Sequence, residues 1–333
     1  MTHTIRKVTG AFAGRFLLGR APSLTHQARV WGAIAATLFA APLAAQPVGE
    51  GPLVLRVPTS ARFLALSQAG LVSTDGDAMF YNPGMLASSR GAAASLQRYG
   101  ASAVAGSMAT ISTMGSMTVG IGAQFVRYEA APTASYNDIT RGGAPQLGEA
   151  VTNGVSATST ALTVGFAKTI KGFRLGANAK YVEDRIGLAS DGTVAFDIGL
   201  NRAAGFGTLG IVMQNLGVGP RISGVKGTLP RRIGAGFGAA RPIATHWDIG
   251  LQSALTLEGD LFVRPALGGE LSYVPVDGVS FTLRQGFRRP REAGESFITA
   301  GVGMTIDRIA LDYALEPMRE GRPTAHRVGM RIR

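Results

Sequence analysis

The feature that most constrains this chain is the period-two alternation running from Gly91 to Arg333. In "FRLGANAKY", Phe173, Leu175, Ala177, Ala179 and Tyr181 fall on one face, and Arg174, Gly176, Asn178 and Lys180 on the other. "MTVGIGAQF", "HWDIGLQSALTL" and "SFITAGVGMTID" repeat the pattern. Strand side chains alternate between faces, so each segment has one apolar and one polar or small face. Fourteen such segments are predicted, at 91–99, 101–112, 116–129, 159–170, 173–186, 192–204, 207–218, 231–243, 246–258, 261–274, 279–289, 296–307, 309–317 and 324–333. Most exceed the roughly 5–6 residues of a globular strand and match the roughly 9–11 that cross a bilayer at a tilt.

Strands that enter a membrane must close on themselves, because lipid offers no partner to an open sheet edge. An even strand count permits antiparallel closure. The links also divide by length. One set is short: "TMG", "KG", "GF", "AT", "PVDG" and about one residue at Arg308. The other contains 130–158, 187–191, 219–230, 290–295 and 318–323, rich in Gly, Pro and charge. Short turns on one side and long loops on the other mark a bacterial outer-membrane barrel. The expected fold is therefore all-β, a transmembrane antiparallel barrel of about 14 strands with a short helical N-terminal plug. A soluble exported β-protein shows the same alternation but predicts no apolar belt around the sheet.

The first 45 residues read as a leader. Arg6, Lys7, Arg15, Arg20 and Arg29 precede any acidic residue, "VWGAIAATLFAAPLAA" follows, and small residues allow cleavage after Ala45. That is the secretory pattern, with an N-terminal anchor as the alternative. Removing those five cations from the chain's 33 leaves 28 against 21 acidic residues, spread without a basic block. Nucleic-acid binding is not expected from such a distribution. No cysteine is present, which excludes disulfides and thiolate metal sites, and nothing in the sequence calls for a cofactor or metal.

Residues 46–90 differ in kind. Ser60 is placed to cap a helix carrying Phe63, Leu64 and Leu66, and Asp75–Asp77 and Asn82-Pro83-Gly84 redirect the chain. Too small to fold alone, the segment is expected inside or beneath the barrel.

The stretch "ARFLALSQAGLVSTDGDAMFYNPGMLA", between a leader and fourteen strands, resembles the FadL-like outer-membrane family, and within it the PorV/PorQ type. The matching positions are Ala61, Arg62, Asp75, Asp77, Ala78, Asn82, Pro83, Leu86 and Ala87. Gly84 stands where that family usually has Ala, Met85 intervenes, and "FLALSQAG" replaces the glycines expected after Arg62. The resemblance implies a luminal plug or hatch. In the family's fatty-acid transporters, hydrophobic substrates pass by movement of the hatch and a lateral opening; PorV/PorQ members serve secretion of other proteins.

On the polar faces, Arg174, Lys180, Arg264, Arg284 and Arg288 oppose Asp197, Asp248, Glu270 and Asp312, as a field for a polar solute or a network that closes the interior. Pro265 marks a kink, a gate or a strand end. Outside the leader only His246 and His326 remain, and no GxSxG, HExxH or phosphate loop appears, so an enzyme is not expected. The chain also ends on Arg333 rather than the aromatic usual for outer-membrane barrels.

The first function reading is transport of hydrophobic or small molecules across the outer membrane, with Phe63, Phe80, Tyr81 and Met85 touching a continuous tunnel. The alternative is a scaffold or shuttle for protein secretion, with a sealed lumen and "TASYNDI" in the 130–158 loop as the contact. The implied partners are outer-membrane lipid, a hydrophobic ligand and, on the alternative, secretion-system proteins.

Overall fold

The computed structural model describes residues 51–100, 103–130, 155–259, 261–291, 294–319 and 322–333. The expected leader and most of the 130–158 loop, "TASYNDI" included, lie outside the described residues.

The wall strands are β1 (Gly91–Tyr99), β2 (Ala103–Met114), β3 (Met117–Ala130), β4 (Val155–Ile170), β5 (Phe173–Ile186), β6 (Ala189–Ala204) and β7 (Gly207–Gly217). A small ribbon, β8 (Arg221–Ile222) and β9 (Val225–Lys226), decorates the next loop. The wall resumes with β10 (Arg232–Ala244), β11 (Trp247–Glu258), β12 (Val263–Val276), β13 (Val279–Arg288), β14 (Ile298–Ile306), β15 (Ile309–Glu316) and β16 (Ala325–Ile332). Among the described residues, fourteen strands close into one antiparallel barrel, each paired with the next wall strand along the chain, β7 with β10 across the ribbon, and β1 sealed against β16.

Two strand starts move by more than two residues from expectation. β4 begins at Val155 and β6 at Ala189, so 187–188 is a two-residue turn rather than a longer loop. The six links at the opposite rim, expected to vary in length, are all two residues: 115–116, 171–172, 205–206, 245–246, 277–278 and 307–308. Met114, Pro275 and Val276 belong to strands. At Lys171 (φ 49°) and Gly172 (φ 81°) both central residues are left-handed, the geometry that follows the twist of a tight hairpin. We call this the turn end, and the other the loop end.

The pleat sorts the side chains as the alternation requires. Every wall strand sends apolar residues outward: Leu96, Met108, Ile121, Leu162, Leu175, Ile198 and Leu209 on β1 to β7, and Ile243, Leu251, Leu267, Leu283, Val302, Leu311 and Val328 on β10 to β16. Leu162 and Leu283 are 60% and 62% exposed. A water-soluble protein does not carry so continuous an apolar belt, whereas a closed sheet facing lipid requires one. The belt removes the soluble reading. Pro265 pairs with Leu255 near the loop end of β12, and the β12–β13 ladder starts only at Ala266. It marks a strand end and opens no gap.

Candidate functional site: the segment that fills the barrel

Residues 51–90 run through the barrel interior. Leu53, Val54 and Leu55 form a single 3-10 turn packed among Tyr99, Val126, Tyr128 and Val182 near the loop end. Helix α1 (Ala61–Ala65) follows, its Phe63 amide donating to the Ser60 Oγ at 3.1 Å as the capping pattern predicts. It lies against β13 to β16. A second 3-10 turn, Pro83–Ser88, lies against β3 to β6 on the opposite wall. The segment therefore spans the lumen. Leu53, Leu64, Leu66, Met79, Met85 and Leu86 are fully buried, and each such side chain contributes roughly 1.5–3 kcal/mol relative to exposure.

Asn82-Pro83-Gly84 is the wedge of the second contact. Asn82 is extended, as a residue before proline must be, and its Oδ1 accepts from the Gly84 amide at 3.0 Å. Its amide pairs with that of Asn201 on β6 at 3.0 and 3.3 Å. The wall here is glycine because the plug backbone touches it. A Cβ at Gly176 would stand 2.2 Å from the Pro83 carbonyl oxygen, and one at Gly199 1.9 Å from Asn82 Oδ1.

The first contact is ionic. Arg62 donates to Asp75 at 2.5 Å, and its Nε donates to Glu270 on β12 at 2.8 Å. Glu270 accepts from Arg284 on β13 at 2.7 Å, which donates to Asp312 on β15 at 2.7 Å. Asp312 accepts from Arg331 on β16 at 2.7 Å, and Arg331 also pairs with Asp75. Three arginines and three carboxylates thus alternate around a closed ring that joins plug to wall. A buried charge persists only with such compensation. Burial opposes ionisation of Asp75, yet Arg62 and Arg331 hold its carboxyl well below the usual range. Asp77, two residues on, behaves oppositely: burial and then the Asp75 charge push it up. Its Oδ2 accepts from the Tyr81 hydroxyl at 2.6 Å, and its Oδ1 is buried with no partner among the described residues.

Every motif position is buried or nearly so, from Ala61, beside Gly329, to Ala78, packed with Val72 and Met85. Of the anticipated lumen charges, Glu270, Arg284 and Asp312 sit in the ring. Lys180 pairs with Asp197 at 2.8 Å, and Arg264 with Glu295 at 2.9 Å. Arg288 pairs with Glu316. Arg174 and Asp248 join no ion pair among the described residues; each is the second residue of its strand, at the turn end, and half-buried.

Arg327 was missed. It is 1% exposed and donates to the carbonyls of Pro58 and Thr59 at 2.5 and 2.8 Å, and to Gln97 at 2.7 Å. The signal was present in "AHRVGMRIR": once Val328, Met330 and Ile332 point outward, Arg327 and Arg331 point inward. Glu258, Glu295 and Asn201 were missed because nothing local names their partners.

Between the plug and β7, β10, β11 and β12 lies a cavity of about 40 Å³, lined by Leu71, Phe63, Phe80 and Tyr81 on one side and Gln214, Arg232 and Arg264 on the other. Phe63 stacks on Tyr81 with ring centroids 3.7 Å apart. Such a space holds a few waters, since one needs about 10–15 Å³. This cavity is small and mixed in polarity, and of the four residues expected to touch an apolar tunnel it is lined by Phe63, Phe80 and Tyr81 but not by Met85. Among the described residues, no group of His, Asp and Glu could hold a metal ion.

No family model and no curated protein matches the sequence. Solved structures do match in fold. The CymD monoaromatic hydrocarbon channel aligns with a TM-score of 0.54 at 10% identity, covering 83% of this chain and 98% of that one. The toluene transporter TodX of Pseudomonas putida gives 0.53 at 10%, covering 82% and 96%. A FadL homologue of Pseudomonas aeruginosa gives 0.50 at 11%, covering 84% and 97%. The shared property is the barrel fold.

Proposed function

We propose that the chain is an outer-membrane channel for small hydrophobic molecules, exported by a leader cleaved after Ala45, with residues 46–90 as its gate. The observation that carries this reading is the filling of the lumen by a separate segment. The wall is a continuous ladder, whereas the plug is held by side chains, a wedge and one ionic ring. A seat of that kind parts without unfolding the barrel. The neighbouring folds whose names state a cargo are a toluene transporter and monoaromatic hydrocarbon channels, which supports an apolar cargo of that size. Phe63, Phe80 and Tyr81 already face the cavity such a cargo would enlarge.

A filled lumen by itself also fits the secretion scaffold of the PorV/PorQ type and does not separate the two readings. The contact stretch of that alternative lies outside the described residues, and the neighbours whose names state a cargo are hydrocarbon channels and a toluene transporter, which supports the channel.

The test is uptake of radiolabelled toluene and of a sugar of similar mass into liposomes holding the purified protein. Faster toluene entry than in protein-free liposomes, with no gain for the sugar, is expected. Equal toluene rates with and without protein would sink the reading.

A further inference from the structure

We propose that the outer wall from β16 to β5 binds one anionic phospholipid, its acyl chain in a furrow and its phosphate on a row of arginines. The site is separate from the lumen and independent of the channel reading.

The strand register defines the furrow. One outward row runs Ile332, Ala92, Thr110, Ile121, Val164, Ala179. The next runs Met330, Ala94, Met108, Ala123, Leu162, Tyr181. Ala92, Ala94, Thr110 and Ala123 adjoin one another and leave the wall low, while Met108, Ile121 and Leu162 stand above it. The result is an open apolar concavity of about 850 Å³. On the opposite wall, Leu251, Leu255, Leu267, Leu271 and Leu283 fill the outward positions. The furrow is continuous with the lipid-facing belt, so an acyl chain is what reaches it.

The headgroup end is set by the same register. Four residues nearer the loop end, the outward row reads His326, Arg98, Val104, Arg127, Thr158, Arg185. Four residues span about 13 Å of strand, or roughly 10 Å of depth at a barrel tilt. Arg98, Arg127 and Arg185 are all exposed. Arg98 Nε donates to the Gly100 carbonyl at 2.9 Å, and Arg185 lies 3.5 Å from Glu183. Glu129 is exposed two residues beyond Arg127, and the His326 ring lies 2.7 Å from the Tyr313 hydroxyl. Among the described residues, three permanent cations against two carboxylates leave the row positive. On the opposite wall the outward row at the loop end is apolar, with Leu257, Val263 and Phe287, and the exposed Arg231 and Arg289 beyond it are turned onto the carbonyls of Gly217 and Val263. Arginine recognises phosphate through paired N–H donors.

The test is native mass spectrometry of the detergent-purified protein with dioleoyl-phosphatidylglycerol, dioleoyl-phosphatidylcholine or inorganic phosphate added separately. We expect one phosphatidylglycerol retained in preference to phosphatidylcholine. Each arginine near an anionic surface contributes about fivefold in affinity, so Arg98→Gln with Arg127→Gln should lower phosphatidylglycerol retention about twenty-five-fold and that of phosphatidylcholine, whose choline offsets its phosphate, by much less. Ala94→Leu with Ala123→Leu should weaken both lipids. Equal retention of the two lipids, or an unchanged value in the arginine variant, overturns the site. Displacement of the lipid by millimolar inorganic phosphate would overturn the acyl part. Heat-modifiable gel mobility checks that each barrel is closed.

Discussion

Arg62 of the plug and Glu270 of the wall are 208 residues apart in sequence, yet the guanidinium Nε of one donates to the carboxylate of the other at 2.8 Å. This contact closes the ring through Arg284, Asp312, Arg331 and Asp75. Removing one member strands its neighbours as buried, uncompensated charges, and such losses cost about 3–5 kcal/mol. Glu270→Ala should therefore loosen α1 by about 3 kcal/mol. Hydrogen exchange resolved to residues 61–66 should quicken accordingly while the wall strands keep their protection. Unchanged exchange there would show that apolar packing alone seats the helix.

The wedge on the other wall rests on sterics. A methyl at Gly176 would meet the carbonyl carbon and oxygen of Pro83, both backbone atoms that no rotamer change relieves. Overpacking of this kind costs typically 1–3 kcal/mol. Gly176→Ala should push the 82–88 turn off β5 and raise ion conductance across a planar bilayer. Gly172→Ala is a poor control because Gly172 is left-handed. Gly269→Ala, where a Cβ meets nothing within 4 Å, should leave conductance unchanged.

The inside of the barrel was legible in the sequence to the extent that period two carries it. Lys180, Arg284 and Asp312 were placed inward because a pleat admits only two faces. Their partners were not legible. Arg284 reaches Glu270 and Asp312 because register sets those strands side by side, and register is a property of the closed sheet. Arg174 and Asp248 show the converse: both lie on the polar face, but at the turn end solvent replaces an ion partner. Asn82 and Pro83 announced a sharp turn, while the reason for it, a bare glycine wall at 176 and 199, belongs to distant strands.

Asp75 and Asp77 give the plug opposing acid responses. The Asp75 carboxyl is held low, so its stabilising contribution is present above the ordinary carboxylate value of about 4 and fades as pH falls below it. The Asp77 carboxyl is pushed up, so its contribution is present below that value and fades as pH rises through the raised one. Together they place the tightest seat near pH 4 and weaken it toward neutrality. Hydrogen exchange at residues 75–81, corrected for intrinsic rate, should follow this profile. Asp77→Asn should flatten the neutral side and keep the acid side; a profile unchanged by it would assign the neutral side to another group.

The natural absence of cysteine makes the gate open to a direct lock. A Cβ at Gly329 would lie 3.4 Å from the Ala61 Cβ, close to the 3.5–4.5 Å of a disulfide, and its other neighbours are no nearer than 3.4 Å. Ala61→Cys with Gly329→Cys should therefore oxidise without moving α1, tying the plug to β16. If cargo passes only when the plug leaves this wall, oxidised protein should lose toluene uptake in liposomes and regain it on reduction, while each single variant behaves as the parent under both conditions. Uptake that survives a complete cross-link would mean that α1 stays seated during passage. The moving part would then be the stretch facing the cavity, Ser67 to Ser73, which begins with two left-handed residues, Ser67 (φ 52°) and Gln68 (φ 65°), and already stores backbone strain there.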